Sequence, residues 1–190
     1  MVRYEETKDP HIIKMELIDG ITLGDRMKKE KYKSGVQDLI GLQKMIHTVT
    51  DVDLPTFKEC AFDHLNSVSI EPQQKKRAEQ ILEEIPETKN LLHLDFHFLN
   101  IMYADEKYYI IDWINARLGN PIFDYARSFV VMNEFAYRLS RKYRTLILKD
   151  REIDSEDFNR AVYVAALLRL KESVSEKTVN LLREMEETTF

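Results

Sequence analysis

Leu91-Leu-His-Leu-Asp-Phe-His-Phe-Leu-Asn100 is followed by Ile101-Met-Tyr103, a polar turn Ala104-Asp-Glu-Lys107, and Tyr108-Tyr-Ile-Ile111, with Asp112-Trp113 directly after. Two short β-prone runs around a polar turn predict a hairpin. If Tyr103 pairs with Tyr109, Asn100 stands opposite Asp112, and opposed residues have Cα atoms about 4.5–5.5 Å apart. An amide and a carboxylate then meet at one end of the hairpin, and Asp95 sits in the loop that enters it.

Around this segment the chain reads as helical. Val2–Glu6 and His11–Ile18 are short extended pieces about a turn at Asp9-Pro10, and Ile18-Asp19-Gly20 ends the second. Thr22–Lys33 is polar and Lys-rich, a solvated surface helix or loop. Val36, Leu39, Ile40, Leu42, Met45 and Ile46 recur at helical spacing, as do Ala78, Ile81, Leu82 and Ile85 before Pro86 stops them. Phe57–Leu65 is a weaker helix. Three more close the chain: one following Asp124 and running toward Leu148, one from about Asp154 with Asp154 or Ser155 as N-cap, and one from about Ser175.

Composition excludes several classes. With 44% hydrophobic and 32% charged residues, 190 residues bury an ordinary globular core. A net charge of -5 argues against a dedicated nucleic-acid binder. The longest apolar run, Ala161–Leu168, falls far short of the roughly 20 residues of a membrane span. Cys60 is the single cysteine, so no internal disulfide or C-x-x-C zinc pattern exists, and it reads as a small packed hydrophobe in a cytoplasmic protein.

The chemistry points to phosphate. Oxygens of Asn100 and Asp112 are hard donors suited to Mg²⁺ carrying phosphate oxygens. A further carboxylate outside the metal, Asp95, can take the proton of a hydroxyl nucleophile, the division of labour in kinase-type phosphoryl transfer.

Three blocks carry a family resemblance: His93-Leu-Asp-Phe-His-Phe-Leu-Asn100, Ile111-Asp-Trp113, and Gly119-Asn-Pro-Ile-Phe-Asp-Tyr-Ala126. In order and spacing they resemble the aminoglycoside phosphotransferase and choline kinase family, whose pattern is approximately H-G-D-x-H-x-x-N, then I-D-W, then G-D-P-x-x-D-x-A. Met15-Glu-Leu-Ile-Asp-Gly20 resembles its hinge strand, and Leu42-Gln-Lys-Met-Ile-His47 a helix end common in it. The resemblance spans roughly residues 12–130. It implies a protein-kinase-like fold, α+β and mainly α: residues 1–18 as a remnant of N-lobe strands and hinge, residues 19–190 as the helical C-lobe with its catalytic-loop hairpin. It also implies ATP or another nucleoside triphosphate, Mg²⁺ and a small-molecule hydroxyl acceptor. Asp95 becomes the catalytic base, Asn100 and Asp112 the magnesium ligands, and Glu16, Leu17 and Ile18 the hinge backbone facing adenine. His93, His97 and Asp124 are supporting residues, Asp124 bracing the catalytic loop or capping the next helix, and Trp113 packs. Glu134, Glu184 and Glu186 are acids among which an acceptor could sit.

The sequence departs from the pattern at Leu94, where glycine is usual, at Phe98, where proline is frequent, and at Asn120, where aspartate is usual. The five glycines form neither G-x-G-x-x-G nor G-x-x-x-x-G-K-[ST], and the residues before Met15 are too few for a phosphate loop, a strand lysine and its helix. A catalytically degenerate binding or regulatory protein is therefore the alternative to an active phosphotransferase. A second alternative is a metal-dependent hydrolase, because His93, Asp95 and His97 would share one face of an extended segment. His11, His47 and His64 read as structural. Two edge strands without a sheet expose pairing groups and favour a homodimer through the N-terminal strands.

Overall fold

The computed structural model describes residues 4–5, 14–67, 69–149, 153–172 and 175–187. In chain order the elements are β1 (Tyr4–Glu5), β2 (Lys14–Met15), β3 (Ile21–Thr22), α1 (Leu23–Lys29), α2 (Gly35–His47), α3 (Phe57–Ser67), α4 (Pro72–Glu84), β4 (Asn90–Leu92), β5 (Ile101–Ala104), β6 (Lys107–Ile110), β7 (Arg117–Gly119), α5 (Pro121–Phe135), α6 (Tyr137–Ile147), α7 (Ser155–Glu172) and α8 (Glu176–Glu187). The architecture is α+β and mainly α. Two compact units divide it: Met1–Gly35 with Phe98–Asp112, and Val36–His97 with Trp113–Phe190.

The first unit is built on strands. β1 and β2 pair antiparallel, Tyr4 opposite Met15, and the remainder of the N-terminal extended pieces up to residue 13 lies outside the described residues. A three-stranded antiparallel sheet runs β3-β5-β6. The expected hairpin is present, but its register differs by one residue. Tyr103 faces Tyr108, Met102 faces Tyr109 and Ile101 faces Ile110. The cause is a tight two-residue turn: Asp105 and Glu106 both take left-handed backbone angles, φ 48° and 59°. Two successive positive φ values match the twist of the flanking strands and close the hairpin without a longer loop. Asn100 consequently faces Ile111, whose N–H donates to the Asn100 carbonyl at 3.0 Å, and not Asp112.

The Lys-rich segment forms α1, capped by Thr22 Oγ1, which accepts from the Asp25 N–H at 3.0 Å. Arg26 on this helix lies 3.6 Å over the ring of Tyr103 and 4.0 Å over that of Tyr32, and donates to the Tyr108 hydroxyl at 2.6 Å. Stacked cation–aromatic contacts of this kind pin α1 to the hairpin. At Gly20 a Cβ would stand 2.4 Å from the Tyr103 carbonyl oxygen and 2.8 Å from the Ala104 Cβ. Gly20→Ala is therefore expected to cost about 1–3 kcal/mol through overpacking against backbone. Gly41→Ala, in α2 with nothing within 4 Å of the new Cβ, should instead gain about 0.5–1 kcal/mol from helix propensity. Urea unfolding of the two variants checks both signs.

The second unit is a helical assembly centred on α5 and α7, with α6 and α8 packed around them and α3 and α4 against α7. Every residue of α5 from Phe123 to Asn133 is buried, as is α7 from Ala161 to Leu168, so both helices are enclosed on nearly all sides. The single helix expected after Asp124 is two. α5 starts earlier, at Pro121, and Ala136, with φ -138° and ψ 48°, breaks the run before α6. Asp154 is the N-cap of α7, accepting from Glu156 N–H at 2.8 Å and Asp157 N–H at 3.0 Å. Ser175 starts α8, accepting from Thr178 N–H at 3.1 Å. β4 and β7 add a small antiparallel pair, Leu91 opposite Leu118, at the entrance to the segment from His93 to Asn100.

Candidate active site

The motif residues fall in both units: His93, Asp95 and His97 in the helical one, Asn100 and Asp112 in the strand-based one.

In the helical unit the loop after β4 is not extended. Leu94 takes a left-handed conformation, φ 61°. That turn breaks the alternation that would have put His93, Asp95 and His97 on one face. The His93 ring is fully buried, packed against Trp113 at 4.6 Å and Phe96 at 5.4 Å between centroids, and its Nδ1 accepts the Asp95 N–H at 3.3 Å. Among the described residues no three His, Cys, Asp or Glu side chains gather as a metal-binding group. The Asp95 carboxylate, 22% exposed, lies 3.5 Å from His97 Nε2, and the His97 ring stands edge-on to Phe135.

A left-handed leucine is costly by about 1–2 kcal/mol and needs an anchor. Both of its peptide groups are held. The Leu94 N–H donates to Asp124 Oδ1 at 2.7 Å, and the Leu94 carbonyl accepts from Arg127 Nε at 3.2 Å. Asp124 and Arg127 lie three residues apart on α5, one helical turn. Asp124 is completely buried, and its other oxygen accepts from His47 Nε2 at 2.8 Å and Gln43 Nε2 at 3.1 Å. Burial pushes the Asp124 carboxyl up. The bonds and charge from His47, with Gln43, outweigh it and hold the group below the usual carboxylate range. Arg127 is in turn ion-paired to Glu172.

Asp124 thus braces the loop, and helix capping falls to Asn120, whose Oδ1 accepts from the Ile122 N–H at 3.0 Å. The amide at this position adds a bond that a carboxylate lacks, Nδ2 donating to the Pro86 carbonyl at 3.0 Å. The Leu94 strain gives a sharp test. Leu94→Gly should change stability by less than about 1 kcal/mol, since relief of strain offsets lost burial and added chain entropy. Leu94→Ile, of equal volume but β-branched, should cost about 1–3 kcal/mol. Thermal unfolding separates the two.

Sequence reasoning did not single out Gln43 and Arg127, and read His47 only as structural. On α2 the buried stripe is Val36, Leu39, Gln43, Ile46 and His47, whereas Met45, expected inside, is 54% exposed. The signal was available: Gln43 and His47 lie four apart, on the face that the apolar residues define. Beside Leu94 a pocket of about 90 Å³ opens, walled by Phe57, Phe123 and Leu168 and edged by Asn115, Arg117 and Arg127. Arg117 Nε lies 3.0 Å from the Cys60 sulfur in that wall. The three acids considered for an acceptor are not equivalent. Glu134 receives Arg169 at 2.7 Å, Thr178 Oγ1 at 2.7 Å and Ser175 Oγ at 3.1 Å, so it fastens α8 to α5. Glu186 accepts from Gln74 at 2.6 Å, and Glu184 lines a separate recess between α6, α7 and α8.

In the strand-based unit Asn100 is buried at the start of β5, and Asp112 is exposed just past β6 with φ 63°. The left-handed turn at Asp112 redirects the chain where the strand ends. An amide oxygen and an exposed carboxylate are hard donors, the chemistry a magnesium ion requires. Phe98, where proline is frequent, is buried, and its carbonyl accepts the Gly24 N–H at 3.0 Å. Glu16, Leu17 and Ile18 form an irregular segment between β2 and β3, with Leu17 89% exposed.

A model of the phosphotransferase enzyme family matches residues 15–163, and the chain belongs to that family. Its fold is that of kinase-like phosphotransferases. A thermostable mutant of aminoglycoside phosphotransferase APH(4)-Ia in the apo form matches with a TM-score of 0.65 at 16% identity, over 98% of this chain and 74% of that one. The choline kinase LicA from Streptococcus pneumoniae matches with a TM-score of 0.66 at 16% identity, over 98% of this chain and 73% of that one. A choline/ethanolamine kinase family protein from Mesorhizobium loti gives 0.58 at 12% identity, over 97% and 70%. No curated protein matches the sequence. No helix among the described residues is long and apolar enough to cross a membrane.

Proposed function

We propose that this protein transfers the terminal phosphoryl group of ATP, or of another nucleoside triphosphate, to a hydroxyl of a small molecule. The observation that carries the reading is the clamp on the loop before Asp95: buried Asp124 on the Leu94 N–H and Arg127 on its carbonyl. A structure spends a buried carboxylate and a strained leucine on a loop whose position matters.

In this reading Asp95 accepts the proton of the acceptor hydroxyl and orients it for in-line attack. Asn100 and Asp112 would hold a magnesium ion, which would offset the negative charge of the nucleotide phosphates. The residues Glu16 to Ile18 offer backbone to the base of the nucleotide. The pocket beside Leu94 offers a recess for part of the acceptor. APH(4)-Ia in complex with ADP and hygromycin B, and LicA in complex with AMP, support nucleotide use by proteins of this fold. A cytoplasmic setting suits a nucleotide-dependent reaction. Met15 in β2 and Leu17 just after it, 65% and 89% exposed, support a homodimer through the N-terminal strands, which sedimentation tests.

The direct test uses ATP labelled at the terminal phosphate with a panel of aminoglycosides, choline and sugar alcohols. Label transferred to one acceptor, and stopped by EDTA, is the expected outcome. Nucleotide binding with transfer to none of them would favour the binding or regulatory alternative.

A further inference from the structure

α6 carries Arg138, Arg141, Lys142 and Arg144 and no acidic residue, in a chain of net charge -5. Two of these cations, Arg141 and Arg144, line a recess of about 210 Å³ closed by α7 and α8. Arg144 donates to the neutral amide of Asn159 at 2.9 Å, and Arg141 lies 5.9 Å from the centroid of the Tyr137 ring. Neither guanidinium makes an ion pair among the described residues, in contrast to Arg127, Arg160 and Arg169, each of which has a carboxylate. Burial, and then the charge of Arg141, draw the Arg144 guanidinium below its ordinary range. Glu184 on α8 lines the same recess, one carboxylate against two guanidiniums. The floor is apolar: Phe129, Val162, Leu181 and Met185.

We propose that this recess between α6, α7 and α8 is a binding site for a small phosphate-bearing anion, held by Arg141 and Arg144 with Asn159 orienting Arg144. Guanidinium forks match phosphate oxygens bidentately, and two of them suit a group carrying close to two negative charges. An anion between them converts the repulsion into attraction, and the apolar floor leaves room for an organic substituent on the phosphate. The site lies wholly within the helical unit and does not depend on phosphoryl transfer by the chain.

Thermal unfolding of the full chain, with inorganic phosphate titrated against sodium chloride at matched ionic strength, tests the site. A saturable rise in Tm of roughly 3–8 °C is expected, as for a ligand well above its Kd on a domain of this size. Arg144→Met and, separately, the exposed Arg141→Gln should each remove most of that rise, whereas Asp112→Ala should keep it. If Arg144→Met does not fold, Arg141→Gln carries the comparison. Phenyl phosphate distinguishes the sources of the same chemistry: a larger shift than inorganic phosphate assigns the site to organic phosphates, an equal one to the free ion. No saturable shift in the parent chain, or an undiminished shift in the folded arginine variants, would overturn the proposal.

Discussion

Asp124→Ala is expected to lower the free energy of unfolding by about 3–5 kcal/mol, the range for removing one partner of a buried, hydrogen-bonded charge network. The loss is large because one carboxylate serves three donors: the Leu94 N–H, His47 Nε2 and Gln43 Nε2. Without it these donors stay buried and unsatisfied. The left-handed Leu94 also loses its anchor on the amide side. Against a typical total of about 5–15 kcal/mol, this is enough to shift the urea midpoint far to the left. Asp112→Ala, at an exposed carboxylate on left-handed backbone that alanine tolerates less well than aspartate, should lower the free energy of unfolding by only about 0.5–1 kcal/mol.

The same network gives a pH signature. The Asp124 carboxyl is held below its unfolded value, so its contribution is fully present above about pH 3.9, the ordinary value of an aspartate in an unfolded chain, and is lost as pH falls through the folded value. Acid unfolding of the parent should therefore begin below that point with a component that Asp124→Ala lacks. Equal acid sensitivity in parent and variant would contradict the assignment.

Asp95→Asn is expected to reduce phosphoryl transfer by about 10²–10⁴-fold, the usual worth of a positioned general base. Nucleotide affinity should stay within about threefold of the parent, because the carboxylate proposed to take the hydroxyl proton is not among the proposed metal ligands. The substitution is nearly isosteric and Asp95 is partly exposed, so folding should be preserved. Steady-state kinetics with a saturating acceptor read the effect in kcat. A variant with parental kcat would remove Asp95 from the catalytic role.

Much of this was legible in the chain. The order and spacing of the three motif blocks carried the family and the kinase-like fold, and apolar periodicity placed α4, α7 and α8 near their observed bounds. What escaped has physical reasons. The hairpin register rests on Asp105-Glu106 adopting a left-handed pair, a turn usually announced by Asn-Gly or Asp-Gly. The break between α5 and α6 falls at Ala136, a strong helix former, with neither glycine nor proline to mark it. The polar network under the Leu94 loop sits on helix faces that periodicity assigns to apolar residues, so Gln43 and His47 acquire meaning only once Asp124 is seen buried between them and Leu94. The strain at Leu94 was marked by a residue standing where glycine is usual, yet its sign required the backbone angle.

Calorimetry of Mg-ATP binding to the folded chain, with Asp112→Ala and Asn100→Ala beside it, tests whether Asp112 and Asn100 serve a metal–nucleotide site. Magnesium-dependent binding to the parent that is abolished in Asp112→Ala and weakened in Asn100→Ala is the predicted result. A folded parent that binds no Mg-ATP, or an Asp112→Ala variant that binds it equally well, would contradict the account.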